Sequence, residues 1–259
     1  MRRRLAISIA FTLVAILCVG VAHGELSQRG NLRVAFDGSF SPHSLPRNRL
    51  APISVHLGGS IRTVDGSRPP QLRRMVVEIN REGQLFTRGL PACSAGLLQA
   101  TTTQAALERC RGALVGKGSF VANVDFPGVA TFPAHGEMLS FNGRANGHPA
   151  LLMHFYVSTP VQATLVIPFK ISHRPKGKFG TVLSARIPVL AGDQGYITDI
   201  GLTIGRQFRF DGSSHSLLSA ACAAPVGFHL ASFAFARGSF YFANGQKLTS
   251  ALTRDCRVR

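Results

Sequence analysis

The sequence predicts an all-β protein, mainly antiparallel, made of two similar β-sandwich-like halves with one short helix in the first half. Three observations lead to this prediction: apolar residues at every second position, turn-forming residue pairs at short intervals, and an internal repeat. The 259 residues suffice for one or two domains with a packed core. Because 45% of the residues are apolar and only 16% are charged, the composition excludes a disordered chain.

The first segment, residues 1–22, is predicted to be a signal peptide. Three arginines follow the initial methionine, and an uncharged, mostly apolar run extends from Leu5 to Val21. Gly20 and Ala22 supply a small-x-small cleavage pattern. An uncleaved N-terminal anchor is the alternative, because a run of about 17 apolar residues is near the lower limit for spanning a bilayer. Both interpretations predict a secreted or extracytoplasmic protein at the cell surface, and no later stretch is long enough to span a membrane.

Alternating apolar residues mark the strands in order along the chain. Turn-forming pairs such as Asp37-Gly38, Asn142-Gly143 and Asn244-Gly245 separate them. Many short strands at this spacing are typical of an antiparallel sandwich or barrel. The alternating sets are Leu32, Val34, Phe36; Ile53, Val55, Leu57; Met75, Val77, Ile79; Leu165, Ile167, Phe169, Ile171; Ile200, Leu202, Ile204; Phe208, Phe210; Phe233, Phe235; and Phe240, Phe242.

One helix is predicted between these strands. Thr101 and Gln104 have the spacing of a capping box, in which the two side chains satisfy the first backbone N–H groups of a helix. The residues from Gln104 to Arg109 are mostly good helix formers, and Gly112 provides a stop.

An internal repeat predicts a duplicated unit, with halves at residues 26–130 and 137–259 and a linker near Pro127 to Gly136. The similar stretches keep their order along the chain, as duplication requires. The matched stretches are Phe36–Gly38 with Phe141–Gly143, Met75–Arg81 with Ile200–Arg206, and Lys117–Asn123 with Arg237–Asn244.

Four cysteines lie outside the signal segment: Cys93, Cys110, Cys222 and Cys256. An even number in an exported chain predicts disulfides, and four cysteines allow three pairings. The repeat favours Cys93–Cys110 and Cys222–Cys256, because each half then closes its own bridge. A zinc site is not expected, since the paired C-x₂₋₄-C spacing is missing.

Seven short stretches distributed over the chain point to a group of known proteins. They are residues 69–72, 79–81, 89–93, 113–120, 141–144, 180–183 and 252–259. Together these stretches resemble a group of uncharacterised exported proteins of GC-rich actinobacteria. The resemblance extends over nearly all of the mature chain and implies export. It implies no activity, fold or catalytic residue.

The chain is strongly basic, with 29 Lys and Arg against 12 Asp and Glu and a net charge of +17. Without the three arginines of the signal segment, +14 remains. A field of this sign attracts anionic partners, although codon bias in a GC-rich genome is an alternative explanation. The tightest basic groups supply four candidate contacts: Arg73, Arg74, Lys176 and Lys178. We therefore expect an exported, non-catalytic binding or structural module that associates with anionic cell-envelope polymers.

The sequence has no recognisable catalytic motif. Ser119 lacks the closing glycine of a nucleophile elbow, and carboxylates are too sparse for a glycosidase pair to stand out. No residue cluster has metal-ligand or cofactor spacing, so neither a metal nor a cofactor is expected. Specific nucleic-acid recognition is not expected either, since Trp is absent and there are only three Tyr.

Two alternative functions stay open. An extracellular hydrolase could use His154, which shares a strand face with Leu152 and Tyr156, as a general base between the halves. That function requires His154 to be exposed in a polar cleft. A lipid or small-ligand carrier would instead require a large apolar cavity lined by some of the 18 phenylalanines.

Overall fold

The structure is a computed structural model that describes residues 25–159, 162–189 and 194–259. The predicted signal peptide, residues 1–22, lies outside the described residues. Within the described ranges there are two helices, α1 (Ala95–Leu98) and α2 (Thr103–Cys110), and the short 3₁₀ turn Arg111–Ala113 follows them. The strands are β1 (Glu25–Arg29), β2 (Leu32–Ser41), β3 (Ser44–Leu45), β4 (Ala51–Pro52), β5 (Ser54–Thr63), β6 (Leu72–Asn80), β7 (Gly83–Leu85), β8 (Cys93–Ser94), β9 (Leu114–Val124), β10 (Phe132–Ala145), β11 (His148–Val157), β12 (Ala163–His173), β13 (Phe179–Arg186), β14 (Gly195–Ile204), β15 (Gln207–Phe210), β16 (Ser213–Ser216), β17 (Leu218–Ala220), β18 (Leu230–Phe242) and β19 (Lys247–Val258).

Most strands belong to one large sheet with the order β1-β2-β5-β14-β9-β10-β11-β12-β13-β6-β18-β19-β3, and β8 pairs with β10. Among the described strands of this sheet, only the short β8–β10 and β19–β3 pairings are parallel. The predicted all-β, mainly antiparallel fold is confirmed. Small sheets β15-β16 and β4-β17-β7 lie beside the large one.

The large sheet curls until its far strands meet. The Ser250 hydroxyl on β19 donates to the Glu25 carbonyl on β1 at 3.0 Å, and the Arg254 side chain donates to the Gly38 carbonyl on β2. The alternating apolar residues face the interior of this curl, as Phe36 of β2 and Phe240 of β18 do in an edge-to-face contact at 5.9 Å. The curl therefore encloses the main core.

The helices cover part of the outer face of the sheet. Leu98 of α1 and Ala106 of α2 are buried in a second apolar cluster with Phe141 of β10 and Leu152 of β11. The predicted helix is present as α2. Its N-cap is Thr102, whose hydroxyl accepts from the Ala105 N–H.

Two details of this helical segment differ from the prediction. Thr101 is not the N-cap, because its hydroxyl donates to the Leu98 carbonyl at 2.7 Å. The other helix, α1, has only four residues. A single turn is too short to produce a helical periodicity in the sequence.

Both favoured disulfides form, Cys93–Cys110 and Cys222–Cys256, each with a Cα–Cα distance of 5.7 Å. The first links β8 to the end of α2. The second links the segment after β17 to β19. The second bridge therefore fastens an irregular segment to a strand of the large sheet.

The two repeated segments share the large sheet and do not form a separate sheet pair each. β6, from the first segment, lies between β13 and β18, whereas β14, from the second, lies between β5 and β9. The sequence does not reveal that the two segments share one sheet, because alternation identifies the buried face of a strand but not its neighbours. The boundaries 26–130 and 137–259 remain a prediction.

The pairing register nevertheless follows the repeat. Glu78 of β6 lies opposite Arg237 of β18, and the corresponding Thr203 of β14 lies opposite Lys117 of β9. The further matching pairs are Val77–Gly238 with Leu202–Gly118, Val76–Ser239 with Gly201–Ser119, and Met75–Phe240 with Ile200–Phe120. Equivalent strands thus pair in the same register across the segments, which supports duplication with exchanged strands.

Among the described residues, no helix is both long and apolar enough to cross a membrane.

Candidate functional site

A row of cationic side chains crosses the outer face of four neighbouring strands. Arg186 of β13 lies opposite Arg74 of β6, which lies opposite Tyr241 of β18, which in turn lies opposite Lys247 of β19. Directly opposite residues of antiparallel strands share a face. We call Arg74, Arg186, Tyr241 and Lys247 the basic row.

The Tyr241 ring is central to the basic row. The Arg74 guanidinium carbon lies 5.3 Å from the ring centroid, and the Lys247 ammonium nitrogen lies 5.2 Å from it. Both are cation–π distances. The partly buried ring therefore orients two cations whose side chains are otherwise exposed.

The cations of the basic row form no salt bridge with a described carboxylate, although the charge of Lys247 acts at longer range to lower the pKa of Glu78. Arg74, Arg186 and Lys247 are exposed, and none of them forms an ion pair with a described residue. Arg74 and Arg186 face each other directly across β6 and β13, and like charges in that position destabilise a sheet. A bound anion would relieve this repulsion.

Hydroxyl groups lie beside the basic row, at the next outward-facing position of β13, β18 and β19. Ser184 of β13 lies between Lys170 of β12 and Val76 of β6, and Ser239 of β18 lies opposite Thr249 of β19. The Ser239 and Thr249 oxygens are 3.1 Å apart. This edge of the basic row thus combines a further cation with groups that donate hydrogen bonds to anions.

Glu78 neutralises the next arginines along the outer face. Its side chain is only 4% exposed, and Arg237 and Arg174 each donate to one of its carboxylate oxygens. The hydrogen bond from Arg237 lowers the pKa of Glu78 below its ordinary value of 4.5, against the opposing effect of burial. The Arg237 guanidinium also lies 4.7 Å from the Phe179 ring. These two arginines are therefore already paired with Glu78 within the fold.

The four predicted contact residues do not form one cluster. Arg74 belongs to the basic row, and its neighbour Arg73 lies at the irregularity in the β6–β18 pairing, where it has no directly opposite residue on β18. Lys176 and Lys178 are exposed in the turn between β12 and β13, near the end of β6, where the Arg81 N–H donates to the Lys178 carbonyl. Six residues of β6 separate the two pairs, or about 20 Å.

Arg186, Tyr241 and Lys247 are not among the contact residues predicted from the sequence. They lie far from Arg74 along the chain, and only the strand register brings them together. The signal available was weak: each is a polar residue at an outward position of an alternating strand. Many other residues share that property.

His154 is fully buried beneath the helices on the outer side of β11. Its Nε2 lies 3.1 Å from both the hydroxyl and the carbonyl oxygen of Thr101, while Nδ1 has no hydrogen-bond partner. Burial lowers the pKa of His154 below 6.5. A neutral imidazole that donates to the Thr101 carbonyl fits this site. Among the described residues, His154 is thus enclosed, whereas the hydrolase alternative requires it to be exposed in a polar cleft.

An apolar cavity of about 280 Å³ lies inside the curled sheet, between β9, β11, β12 and β14. A smaller cavity of about 70 Å³ adjoins it and shares Phe155 and Ile197. The larger cavity approaches the roughly 300 Å³ at which small-molecule sites begin. Its lining includes Phe120, Ala122, Val124, Ala134, Phe155, Val157, Leu165 and Ile197.

Within the described ranges, no group of three or more His, Cys, Asp or Glu side chains is placed to bind a metal ion. Comparison with protein-family models, curated proteins and solved structures finds no match to this chain.

Proposed function

We propose that this protein is an exported, non-catalytic binding module that engages an anionic cell-envelope polymer through the basic row. The supporting observation is the register of Arg74, Arg186 and Lys247, three exposed cations around the Tyr241 ring, none of them in a salt bridge with a described carboxylate. Two disulfides support export, because such bridges persist in oxidising compartments.

The chemistry of the row suits phosphate or carboxylate groups. Each guanidinium presents a planar fork of N–H donors that matches these anions in a bidentate geometry, and Lys247 adds a compact charge. Because the Tyr241 ring already orients Arg74 and Lys247, less side-chain freedom is lost on binding.

A polymer fits this surface better than a small anion does. The row lies on the outer face of a sheet, whereas small ligands are usually bound in concave pockets. Neighbouring strands are about 4.8 Å apart, so a row across four strands spans about 14 Å. A chain with regularly spaced charges can contact several cations at once, and each contact raises the local concentration of the next group.

The proposal is tested by co-sedimentation of the mature chain with purified cell envelope over a salt series. We expect binding at low salt that weakens as salt rises, because exposed charges are screened. The double variant Arg74→Gln, Lys247→Gln should reduce binding about tenfold or more. The matched control, Lys176→Gln with Lys178→Gln, removes the same charge from the β12–β13 turn and should retain most of the binding.

Two outcomes would contradict the proposal. If both double variants lose the same affinity, binding depends on net charge and the basic row is not its site. If the wild-type chain does not bind at any salt concentration, the protein is not a polymer-binding module.

The apolar cavity favours a second candidate function, the binding of a small apolar chain. Its walls are almost entirely apolar, and Phe120 and Phe155 meet edge-to-face at its border, with ring centroids 5.1 Å apart.

Solvent extraction of the natively purified protein, followed by mass spectrometry, should recover a stoichiometric apolar compound. Ala122→Phe fills the cavity and should abolish recovery, whereas Ala251→Phe, on the exposed outer side of β19, should not. An empty extract from wild-type protein excludes the carrier function.

A further inference from the structure

The loop between β17 and β18 exposes apolar side chains. Val226 is 93% exposed and Phe228 is 65% exposed, the highest values among large apolar residues of the described chain. Leu230, which begins β18, is 53% exposed. We call residues 223–230 the apolar loop.

This loop is held in one conformation by interactions on its inner side. The Arg47 guanidinium donates to the carbonyls of Ala224, Pro225 and Phe228, the last two at 2.6 and 2.7 Å. Cys222, immediately before the loop, is bonded to Cys256, and its N–H donates to the Pro46 carbonyl.

The backbone of the loop is also arranged for a turn. Gly227 has a φ of +87°, a left-handed conformation that glycine adopts without strain. The Phe228 N–H closes the turn on the Pro225 carbonyl at 3.1 Å. At the end of the loop, the His229 carbonyl accepts from the Val258 N–H. The loop therefore needs little further ordering to bind a partner.

Arg47 also determines what the loop presents outward. Because three loop carbonyls are directed to one guanidinium, few backbone acceptors remain at the tip, which presents the side chains of Val226 and Phe228. Exposed apolar side chains grouped in this way are typical of interaction sites, whereas isolated ones are ordinary.

Cationic groups lie beside the apolar tip. Arg257 of β19 is directly opposite Leu230, and both Arg257 and Arg259 are exposed. The Arg257 N–H donates to the His43 carbonyl, so His43 is also adjacent. The nearest carboxylate on β19, that of Asp255, accepts from the Ser232 hydroxyl.

We propose that the apolar loop inserts into the surface of a membrane that contains anionic phospholipids. In this arrangement Val226 and Phe228 enter the boundary between head groups and acyl chains, while Arg257 and Arg259 lie at the level of the phosphates. Both the apolar insertion and the attraction to anionic lipid are general contributions to interfacial binding.

This inference does not depend on the polymer proposal. The apolar loop precedes Leu230 at the start of β18, and Tyr241 of the basic row lies near its other end. Eleven residues of extended strand separate them, or about 36 Å. One molecule can therefore contact a membrane and a polymer at opposite ends.

The chain offers a clean spectroscopic test, because it contains no tryptophan. Phe228→Trp places a single reporter on the loop, and Phe126→Trp places a matched reporter on the β9–β10 turn, where Phe126 is 43% exposed. With vesicles of phosphatidylcholine containing phosphatidylglycerol, the emission of Phe228→Trp should shift to the blue. The emission of Phe126→Trp should not change.

A flotation assay with the same vesicles provides the second measurement. Val226→Ser with Phe228→Ser should lower vesicle binding about tenfold or more, while Phe126→Ser with Val129→Ser should leave it unchanged. All four side chains are exposed, so neither variant should unfold. Arg74→Gln with Lys247→Gln should retain vesicle binding, which separates this inference from the polymer proposal.

Three results would overturn the inference. They are no wild-type binding to anionic vesicles, equal binding by the loop variant, and an unshifted Phe228→Trp spectrum. Sedimentation velocity adds a check. If the wild-type chain self-associates and does not bind vesicles, and the loop variant no longer self-associates, the loop joins two copies of the protein.

Discussion

Glu78 is buried on the outer face of the sheet because two arginines cover it. Its carboxylate accepts from Arg174 and Arg237, and only 4% of its side chain is exposed. Removing its charge leaves both cations close together without a counter-ion. The basic row nearby has the opposite property, since its cations have no such carboxylate among the described residues. A single neighbouring carboxylate therefore determines whether an arginine is paired within the fold or remains accessible to a ligand.

We expect Glu78→Gln to lower the free energy of unfolding by about 2–3 kcal/mol, because charged hydrogen bonds are lost while the arginines remain. Urea denaturation measures this change. Glu137→Gln, at an exposed carboxylate of β10, is the control and should have little effect. Equal stability of both variants would show that the Glu78 ion pairs contribute nothing.

The same residue predicts a pH dependence. The pKa of Glu78 is lower in the folded protein than its ordinary value of 4.5. The unfolded chain therefore takes up this proton first as the pH falls. The stabilisation is complete above pH 4.5 and is lost as the pH falls towards the folded pKa. Urea midpoints measured from pH 6 to pH 3 should decrease less steeply for Glu78→Gln than for wild type.

At the scale of elements, α1 and α2 depend on His154 beneath them. The imidazole contacts Thr101, which lies in the link between the two helices, and the Thr164 hydroxyl donates to the same Thr101 carbonyl at 2.8 Å. The Cys93–Cys110 bridge closes the other end of this segment. The helical segment is thus attached to the sheet at two places.

His154→Ala should destabilise the protein by about 2–3 kcal/mol, since it leaves a cavity and removes a partner of Thr101. Hydrogen exchange should accelerate most in α1 and α2. His148→Ala, at an exposed position of the same strand, is the control. Polymer binding should survive both changes. Its selective loss in folded His154→Ala would contradict a purely structural role.

At the scale of the whole molecule, exchanged strands join the two repeated segments. β14 lies between β5 and β9, and β6 lies between β13 and β18, so neither segment contains all the neighbours of its own strands. The matching registers of these pairs support an origin by duplication, in which strands of each copy pair with strands of the other. Folding should therefore be cooperative over the whole sheet.

Residues 26–130 or 137–259 expressed alone should not show a cooperative thermal transition by circular dichroism, because each would expose unpaired strand edges. The full chain cleaved once in the turn at residues 126–131 is the control and should remain folded. Cooperative unfolding of either isolated segment would show that the strand exchange is not required.

The predictable features depend on residues that are close in sequence. Alternation in Leu32, Val34 and Phe36 identifies the buried face of β2, because strand side chains alternate with a period of two. The threonines before Gln104 identify the start of α2 to within one residue. In the candidate site, the adjacent basic residues Arg73 and Arg74 could be predicted as contacts, and Arg74 is a member of the basic row.

The strand faces, α2 and, through the repeat, the favoured disulfide pairs follow from the sequence alone. Which strands are neighbours depends on tertiary packing. That choice brought Arg74, Arg186 and Lys247 into one row and placed Arg47 against the carbonyls of a loop far along the chain. The physical reason is that backbone hydrogen bonds between strands are nearly independent of side-chain identity. Strand order therefore emerges from packing the whole sheet around its core.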